Sequence, residues 1–525
     1  MGTFELIMSL MVAVVALVWV ADRVHVPYPM LLMIGGLILA IVPFTPSVAL
    51  EPEIVLVIFL PPILFQAAQT TSIRDFKANL GPISRLAVGL VIATTGLVAV
   101  VAHTVIPDIS WPAAFVLGAV VSPPDAVAAT AIFQRIGAPR QIVTILEGES
   151  LINDASAIVV YTFAVAAVVT GTFSLPEAIL RFVLVVVIGV ISGLAVGWLL
   201  IRIITLLGDA SLEAIATLIA PVAAYVLAER LGGSGVLAVV AAGLFYGRAS
   251  SRIQSPTSRI RGFAIWDVVI VAINGMVFIL IGFELGELRK QLDPGQLGAL
   301  LWHAFAVLIA MVVARFAYVF AGSLSRRHRG RRGIATEELD NRSHFLIAWS
   351  GLRGVVSLAT ALALPYMTDA GRAFDHRDEI ILITAAVIVF TLFGFGLPLP
   401  WLVRRLQLGG DDSYEQELKL ARHVVHQAMG ASMEQFVRND PKLAATLIPI
   451  LKQMKAQADR TRTATGASPA GEIQQAMAPR IRARQAAISA AREALLELRD
   501  RGEIGDEVRR EMERNLDLQE LQLAA

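Results

Sequence analysis

Three short stretches of this chain place ionisable side chains among almost wholly apolar neighbours. The first is Glu147-Gly148-Glu149-Ser150-Leu151-Ile152-Asn153-Asp154, followed by the apolar run from Ala155 onward. The second is Ser122-Pro123-Pro124-Asp125, within the apolar stretch 112–134. The third is Ser350-Gly351-Leu352-Arg353-Gly354, within 343–366. An ionised carboxylate in hydrocarbon costs at least about 2.5 kcal/mol, so it faces a cavity, pairs with another charge, or carries protons. At helical spacing Ser150 and Asp154 share one face and offer a hydroxyl and a carboxylate to the same point. Glu149 and Asn153 share the neighbouring face. Arg353 is the outstanding deep countercharge and needs a buried anion. Glu149 is the expected partner, with Asp125 or the carbonyls ending a half-helix as alternatives. Asp154 is then left without a permanent partner. Burial disfavours the charged form of a carboxylate and a bound cation restores it. A metal cation and a proton would therefore compete for Asp154.

The elements that must hold these residues follow from hydropathy. The chain has 525 residues, 56% of them hydrophobic and 17% charged, with a mean hydropathy of +0.67. Such a balance exceeds that of soluble domains. The apolar excess lies before about residue 408, which predicts a membrane domain over 1–408 and a helical cytoplasmic domain over 409–525. A hydrocarbon core about 30 Å thick needs roughly 20 helical residues per crossing. By that measure there are thirteen spans, near 4–20, 29–44, 53–69, 82–106, 112–134, 141–170, 175–201, 212–230, 234–248, 263–285, 297–324, 343–366 and 379–403. Arg and Lys collect in alternate loops, from Arg23, Arg74 and Lys77 through Arg252 and Arg259 to the cluster at 326–332. Basic loops stay cytoplasmic, so the N-terminus is expected outside and the tail inside a plasma (inner) membrane crossed many times.

Spans five and twelve contain what a simple membrane helix avoids. Proline removes a backbone donor and clashes with the preceding turn. Freed backbone groups at membrane depth are tolerated only inside protein or beside a wet cavity. Broken helices in two halves of a chain mark a transporter's ion site. Spans 2–7 and 8–13 would form two six-helix units, with the breaks in the fourth helix of one and the fifth of the other. A buried acid that holds either a cation or a proton, combined with alternating access, suffices for exchange and needs no cofactor.

Other features exclude or add little. There is no cysteine, which rules out disulfides and thiolate chemistry. A net charge of +1 gives no sign of nucleic acid as a partner. The first apolar run lacks the marks of a cleaved signal peptide and reads as a retained span. No repeated carbonyl-ladder filter of a channel is visible. The stretch Gly232-Gly233-Ser234-Gly235 reads as a turn between spans. His103 reads as interfacial, and Arg315 as a residue that snorkels or pairs locally. Asp267, Asn274 and Glu284 read as packing or funnel residues. The tail shows helical periodicity over 414–438, 441–460, 473–500 and 506–521, broken at Arg501-Gly502-Glu503.

The residues at 122–128 (Ser-Pro-Pro-Asp-Ala-Val-Ala), 148–154 (Gly-Glu-Ser-Leu-Ile-Asn-Asp) and 351–358 (Gly-Leu-Arg-Gly-Val-Val-Ser-Leu) resemble the monovalent cation:proton antiporters. The nearest branch holds bacterial sodium/proton antiporters and animal sodium/proton exchangers. The resemblance covers roughly 1–405, and 494–504 is similar to the bacterial tail. It implies an all-α fold of two inverted six-helix repeats, split into a core and a dimerisation domain, with two broken crossing helices. It also implies a homodimer, and a transporter of sodium and protons rather than an enzyme with catalytic residues. Asp154 would bind cation and proton, with Asn153 and Ser150 beside it and Asp125 at the unwound crossing. Sodium would contact Asp154, Ser150 and Asp125, and Glu149 with Arg353 would form a structural ion pair. Asn-Asp at 153–154 is the pattern of electroneutral exchangers, one sodium per proton. Two positions depart from the pattern and are possible accessory groups. Pro124 stands where relatives often place threonine and offers only a carbonyl, and Gln66 stands where many carry an acid. The implied role is control of cell pH and sodium, with potassium and lithium as further cargo.

Overall fold

The computed structural model describes residues 3–24, 28–41, 57–125, 129, 133, 140–171, 175–291, 297–330, 340–406, 412–439 and 477–524. The described residues are almost entirely helical and separate into two compact units. The first comprises Met1–Leu207, Ile215–Ile253 and Ile265–Gly410; the second comprises Gly208–Ala214, Gln254–Ala264 and Asp411–Ala525. The tail unit thus takes in the first turns of the helices Ala210–Arg230 and Pro256–Gln291, with the residues just before them, as well as the C-terminal residues.

The membrane unit begins with α1 (Thr3–Val24), α2 (Tyr28–Ile41) and α3 (Leu60–Thr70). A short helix at Ile73–Ala78 leads into α4 (Leu80–Val105), which contains a π-helical turn at Arg85–Leu90. Then come α5 (Trp111–Val121), α6 (Arg140–Thr170), α7 (Leu175–Leu207), α8 (Ala210–Arg230), α9 (Gly235–Ile253) and α10 (Pro256–Gln291). The unit closes with α11 (Leu297–Gly330), α12 (Asn341–Trp349), α13 (Val355–Leu362), α14 (Arg377–Gly396) and α15 (Leu399–Leu406). Among the described residues, eight helices are long and apolar enough to cross a membrane, and two shorter apolar ones run Tyr28–Ala40 and Trp111–Val121.

Close approach of small residues builds one face of this unit. Gly189, Gly193 and Gly197 lie four apart on α7, and a Cβ at each would meet Ser234, Ala238 and Ala242 of the α9 region, also four apart. On another side of α9, a Cβ at Gly243 or Gly247 would meet Phe65, Ala68 or Gln69 of α3. With lipid as apolar as leucine, helices associate through such packing rather than through hydrophobic burial. The α8–α9 connection turns at Gly232, whose φ of +76° is a left-handed conformation suited to glycine. His103 stacks on Trp111, with ring centroids 4.2 Å apart, and its Nδ1 lies 2.8 Å from the Ile109 carbonyl. Asn274 is buried and lies 3.5 Å from the Tyr28 hydroxyl, whereas Asp267 is exposed. The Glu284 side chain lies outside the described residues.

The tail unit packs α16 (Asp412–Asn439), α17 (Met477–Arg501) and α18 (Asp506–Ala524) around a core of Val425, Met429, Ile488, Leu495, Ile504 and Val508. The expected helix at 441–460 falls outside the described residues. The expected break comes at Gly502 (φ +78°), where Gly502 N–H bonds Arg499 O and Glu503 N–H bonds Leu498 O, both at 2.9 Å. That is a Schellman end, which favours glycine. Within this unit Arg259 grips both carboxylate oxygens of Asp517 at 2.9 and 2.6 Å. Arg492 reaches Asp517 at 2.6 Å as well, and Arg509 pairs with Glu513.

Candidate functional site

Two helices break where the sequence places proline and glycine. The α5 helix ends at Val121, Ser122 caps it in helical geometry, and the chain leaves the helix over 123–125. The α12 helix ends at Trp349, residues 351–354 carry no regular secondary structure, and α13 restarts at Val355. One backbone bond ties the two breaks together, from Asp125 N–H to Leu352 O at 2.7 Å. Gly354 sets the fit. A Cβ there would land on the Asp125 carboxylate, so only glycine lets that carboxylate lie against the start of α13.

A helix that stops at membrane depth leaves its last carbonyls unpaired and the negative end of its dipole exposed. Each break here is closed by an arginine. Arg353 donates from Nε to Val121 O at 2.6 Å, from Nη2 to Ser122 O at 3.2 Å and from Nη1 to Gly351 O at 2.8 Å. Its own N–H donates to Thr391 Oγ1 of α14 at 3.1 Å. Arg315 of α11 donates from Nε to Ala348 O at 3.1 Å and from Nη2 to Ile347 O at 3.0 Å, which are the last carbonyls of α12. Arg315 also holds Glu149 through both nitrogens, at 2.6 and 3.0 Å, with both side chains buried.

This corrects the expected pairing. Glu149 is bonded to Arg315 rather than to Arg353, and Arg315 neither snorkels nor pairs with a sequence neighbour. Arg353 takes the helix-closing alternative. The physical reason is that each guanidinium is claimed by the nearest set of open carbonyls, and only Arg315 has nitrogens left aimed at Glu149. The sequence held a signal for Arg315. It lies nine residues from the nearer end of the predicted span 297–324, or roughly 13 Å at 1.5 Å per residue, a long way for a snorkelling side chain.

Asp154 sits on α6 and is 6% exposed. Among the described residues it makes no hydrogen bond and no ion pair, and Asp125 acts on it as a neighbouring like charge. Asn153 donates from Nδ2 to the Pro124 carbonyl at 2.9 Å, so α6 is pinned to the break in α5 through the one polar atom that Pro124 can offer. The Asn153 Oδ1 is buried and accepts no bond among the described residues. Ser150 lies one turn before Asp154 and is partly buried. The structure therefore brings Asp125, Pro124, Asn153 and Asp154 together. Gln66 lies on α3, half-buried, and no bond within the described residues joins its side chain to these groups. A buried carboxylate beside a second carboxylate and an open amide oxygen is a receptor for a small cation or a proton.

A family model described as "Sodium/hydrogen exchanger, transmembrane" matches residues 10–405. The chain belongs to the sodium/hydrogen exchanger family. An uncharacterized Na+/H+ exchanger of Mycobacterium bovis is 33% identical over 98% of this chain and 95% of its own length. A sodium, potassium, lithium and rubidium/H+ antiporter of Bacillus pumilus is 32% identical over 72% of this chain and 58% of its own. Among solved structures, the sodium proton antiporter MjNhaP1 of Methanocaldococcus jannaschii shares the fold, with a TM-score of 0.60 and 18% identity. That match covers 78% of this chain and 99% of the other. This exchanger-family chain is thus a multi-pass membrane transporter, not an enzyme, and its family carries monovalent cations and protons.

Proposed function

We propose that this exchanger-family protein swaps sodium for protons at one buried carboxylate, Asp154. The observation that carries the reading is that Asp154 is buried without a hydrogen bond or ion pair among the described residues, while both neighbouring arginines are committed to backbone carbonyls and Glu149. An acid in that position binds either a proton or a cation, because leaving it charged and empty in a low-dielectric interior costs most. Asp125, Ser150 and Asn153 Oδ1 complete the oxygen set around sodium. Gln66 is an accessory group beside that set. Sodium and the proton each bring one positive charge to one acid, which favours an electroneutral one-for-one exchange. The broad cation range in the name of the Bacillus pumilus relative supports lithium and potassium as further cargo.

The reading includes thirteen spans in two inverted six-helix repeats, a homodimer, an outside N-terminus and an inside tail. Orientation is supported by the tail unit itself. Its two added segments, 208–214 and 254–264, include loop residues, and the helix starts next to them, on the same side as the tail in the arrangement that Arg and Lys placement predicts. The cellular role is control of internal pH and sodium.

The test is cation-dependent dissipation of an imposed proton gradient in everted vesicles. The wild type collapses the gradient when sodium is added, and Asp154→Asn does not, at equal expression. Exchange that survives in Asp154→Asn removes Asp154 as the carrier. Repeating the assay with sodium, lithium and potassium, with the membrane potential clamped and free, fixes cargo and charge ratio together.

A further inference from the structure

We propose that Ser357, near the start of α13, is a further residue of the cation site and helps set which cation is bound. This rests on the reading of Asp154 given above and extends it to the second broken helix.

Ser357 is 2% exposed and its hydroxyl has no hydrogen-bond partner among the described residues. A hydroxyl buried without a partner costs about 1–3 kcal/mol, so it stands out inside a membrane domain. Serines in helices bond a carbonyl three or four residues earlier, as Thr360, one turn on, does with Val356 O at 2.8 Å and Ser357 O at 3.0 Å. For Ser357 those carbonyls belong to Gly354 and Arg353, in the non-helical break, so the helix itself gives its hydroxyl no such partner.

Two contacts bracket Ser357. Gly354, three residues before it on the same helical face, lies against the Asp125 carboxylate. Val356, its direct neighbour, packs onto the cluster that contains Leu151 and Ala155, which flank Asp154 on α6. Ser357 therefore follows, by three residues, the α13 position that lies against Asp125. Asn153 Oδ1, on the residue beside Asp154, is likewise a buried oxygen without a donor among the described residues. In the proposed site these two unmated neutral oxygens join the carboxylates of Asp125 and Asp154, as a dehydrated cation needs, since a hard monovalent ion replaces its water shell with oxygen ligands. A proton on Asp154 needs no such set. Removal of the Ser357 hydroxyl should thus weaken cation binding and leave proton binding in place. The smaller cations, which gain most from a close oxygen, should suffer most.

The experiment measures apparent KM for sodium, lithium and potassium in proteoliposomes for wild type, Ser357→Ala, Ser357→Thr and Asp154→Asn. In Ser357→Ala the KM for sodium and lithium should rise by about five- to tenfold, the loss of one oxygen contact to a charged group. The maximal rate should stay within about twofold, and the KM for potassium should change less. Ser357→Thr, which keeps the oxygen, should restore the sodium KM. An unchanged sodium and lithium KM in Ser357→Ala overturns the proposal and makes Ser357 a structural hydroxyl. Equal rises for all three cations, unrestored by threonine, overturn it too, since they mark a packing defect. If Ser357→Ala fails to fold, the thermal shift given by added sodium to Ser357→Thr and Ser357→Cys decides. A larger sodium shift for threonine supports the proposal, and equal shifts refute it. Wild type without exchange, or active Asp154→Asn, sinks the broader reading instead, so the two failures are separable.

Discussion

Glu149, Arg315 and Arg353 permit a quantitative test of how the crossing is held. In Arg315→Leu the Glu149 carboxylate loses both its bonds, at 2.6 and 3.0 Å, and the Ile347 and Ala348 carbonyls lose their donor. Stranding one partner of a buried ion pair costs about 3–5 kcal/mol, or about 150- to 5,000-fold in the folding equilibrium at 1.36 kcal/mol per decade. Glu149→Gln is milder. Arg315 keeps its carbonyls and one bond to the amide oxygen, so the loss is about 1.5–3 kcal/mol. In the double variant no stranded anion remains, and the combined cost falls short of the sum by about 2–3 kcal/mol. The same cycle between Glu149 and Arg353 should give less than about 1 kcal/mol, because Arg353 spends its bonds on Val121, Ser122 and Gly351. The assay is equilibrium unfolding of purified variants in mixed micelles titrated with SDS, followed by tryptophan fluorescence at fixed sodium. Coupling of Glu149 to Arg353 equal to or above its coupling to Arg315 would refute the assignment.

Three further perturbations test other parts. Gly354→Ala places a methyl on the Asp125 carboxylate; overpacking of this kind costs about 1–3 kcal/mol, and exchange in vesicles should fall at least tenfold with protein still in the membrane. Gly193→Ala should push α7 off the Ala238 backbone and lower the thermal midpoint in detergent. Gly96→Ala, where a Cβ meets nothing within 4 Å, should be neutral or slightly stabilising. In the tail unit, Asp517→Asn leaves Arg259 and Arg492 without their shared carboxylate. It should cost about 3–5 kcal/mol and speed proteolysis of 412–524 in the full-length protein, whereas unchanged cleavage would mean that the network carries little.

Much of this was legible in the sequence because the relevant signals are local. Prolines and glycines mark the breaks at 122–125 and 350–354, since they alter the backbone where they stand. Asp154 stood out because a charge in an apolar run needs a reason. The Gly502 break of the tail depends only on its own φ and two short-range bonds. What resisted reading was pairing at long range. Glu149 had two deep arginines to choose from, and the choice turns on which carbonyls each guanidinium meets, 166 positions away for Arg315. The alignment of α7 glycines with α9 was hidden for the same reason. Ser357 was visible within a familiar motif, but nothing in its spacing says that its hydroxyl lacks a partner.

The closure of α5 by Arg353 has a consequence for biosynthesis. The Val121 carbonyl waits for a residue 232 positions later. At 5–20 residues per second that is roughly 10 to 50 s of translation. Throughout that interval the newly inserted half-helix carries open carbonyls that lipid cannot satisfy. It must shelter in the insertion machinery or against earlier helices, and the crossing beside the ion site cannot close until the second half of the chain has arrived.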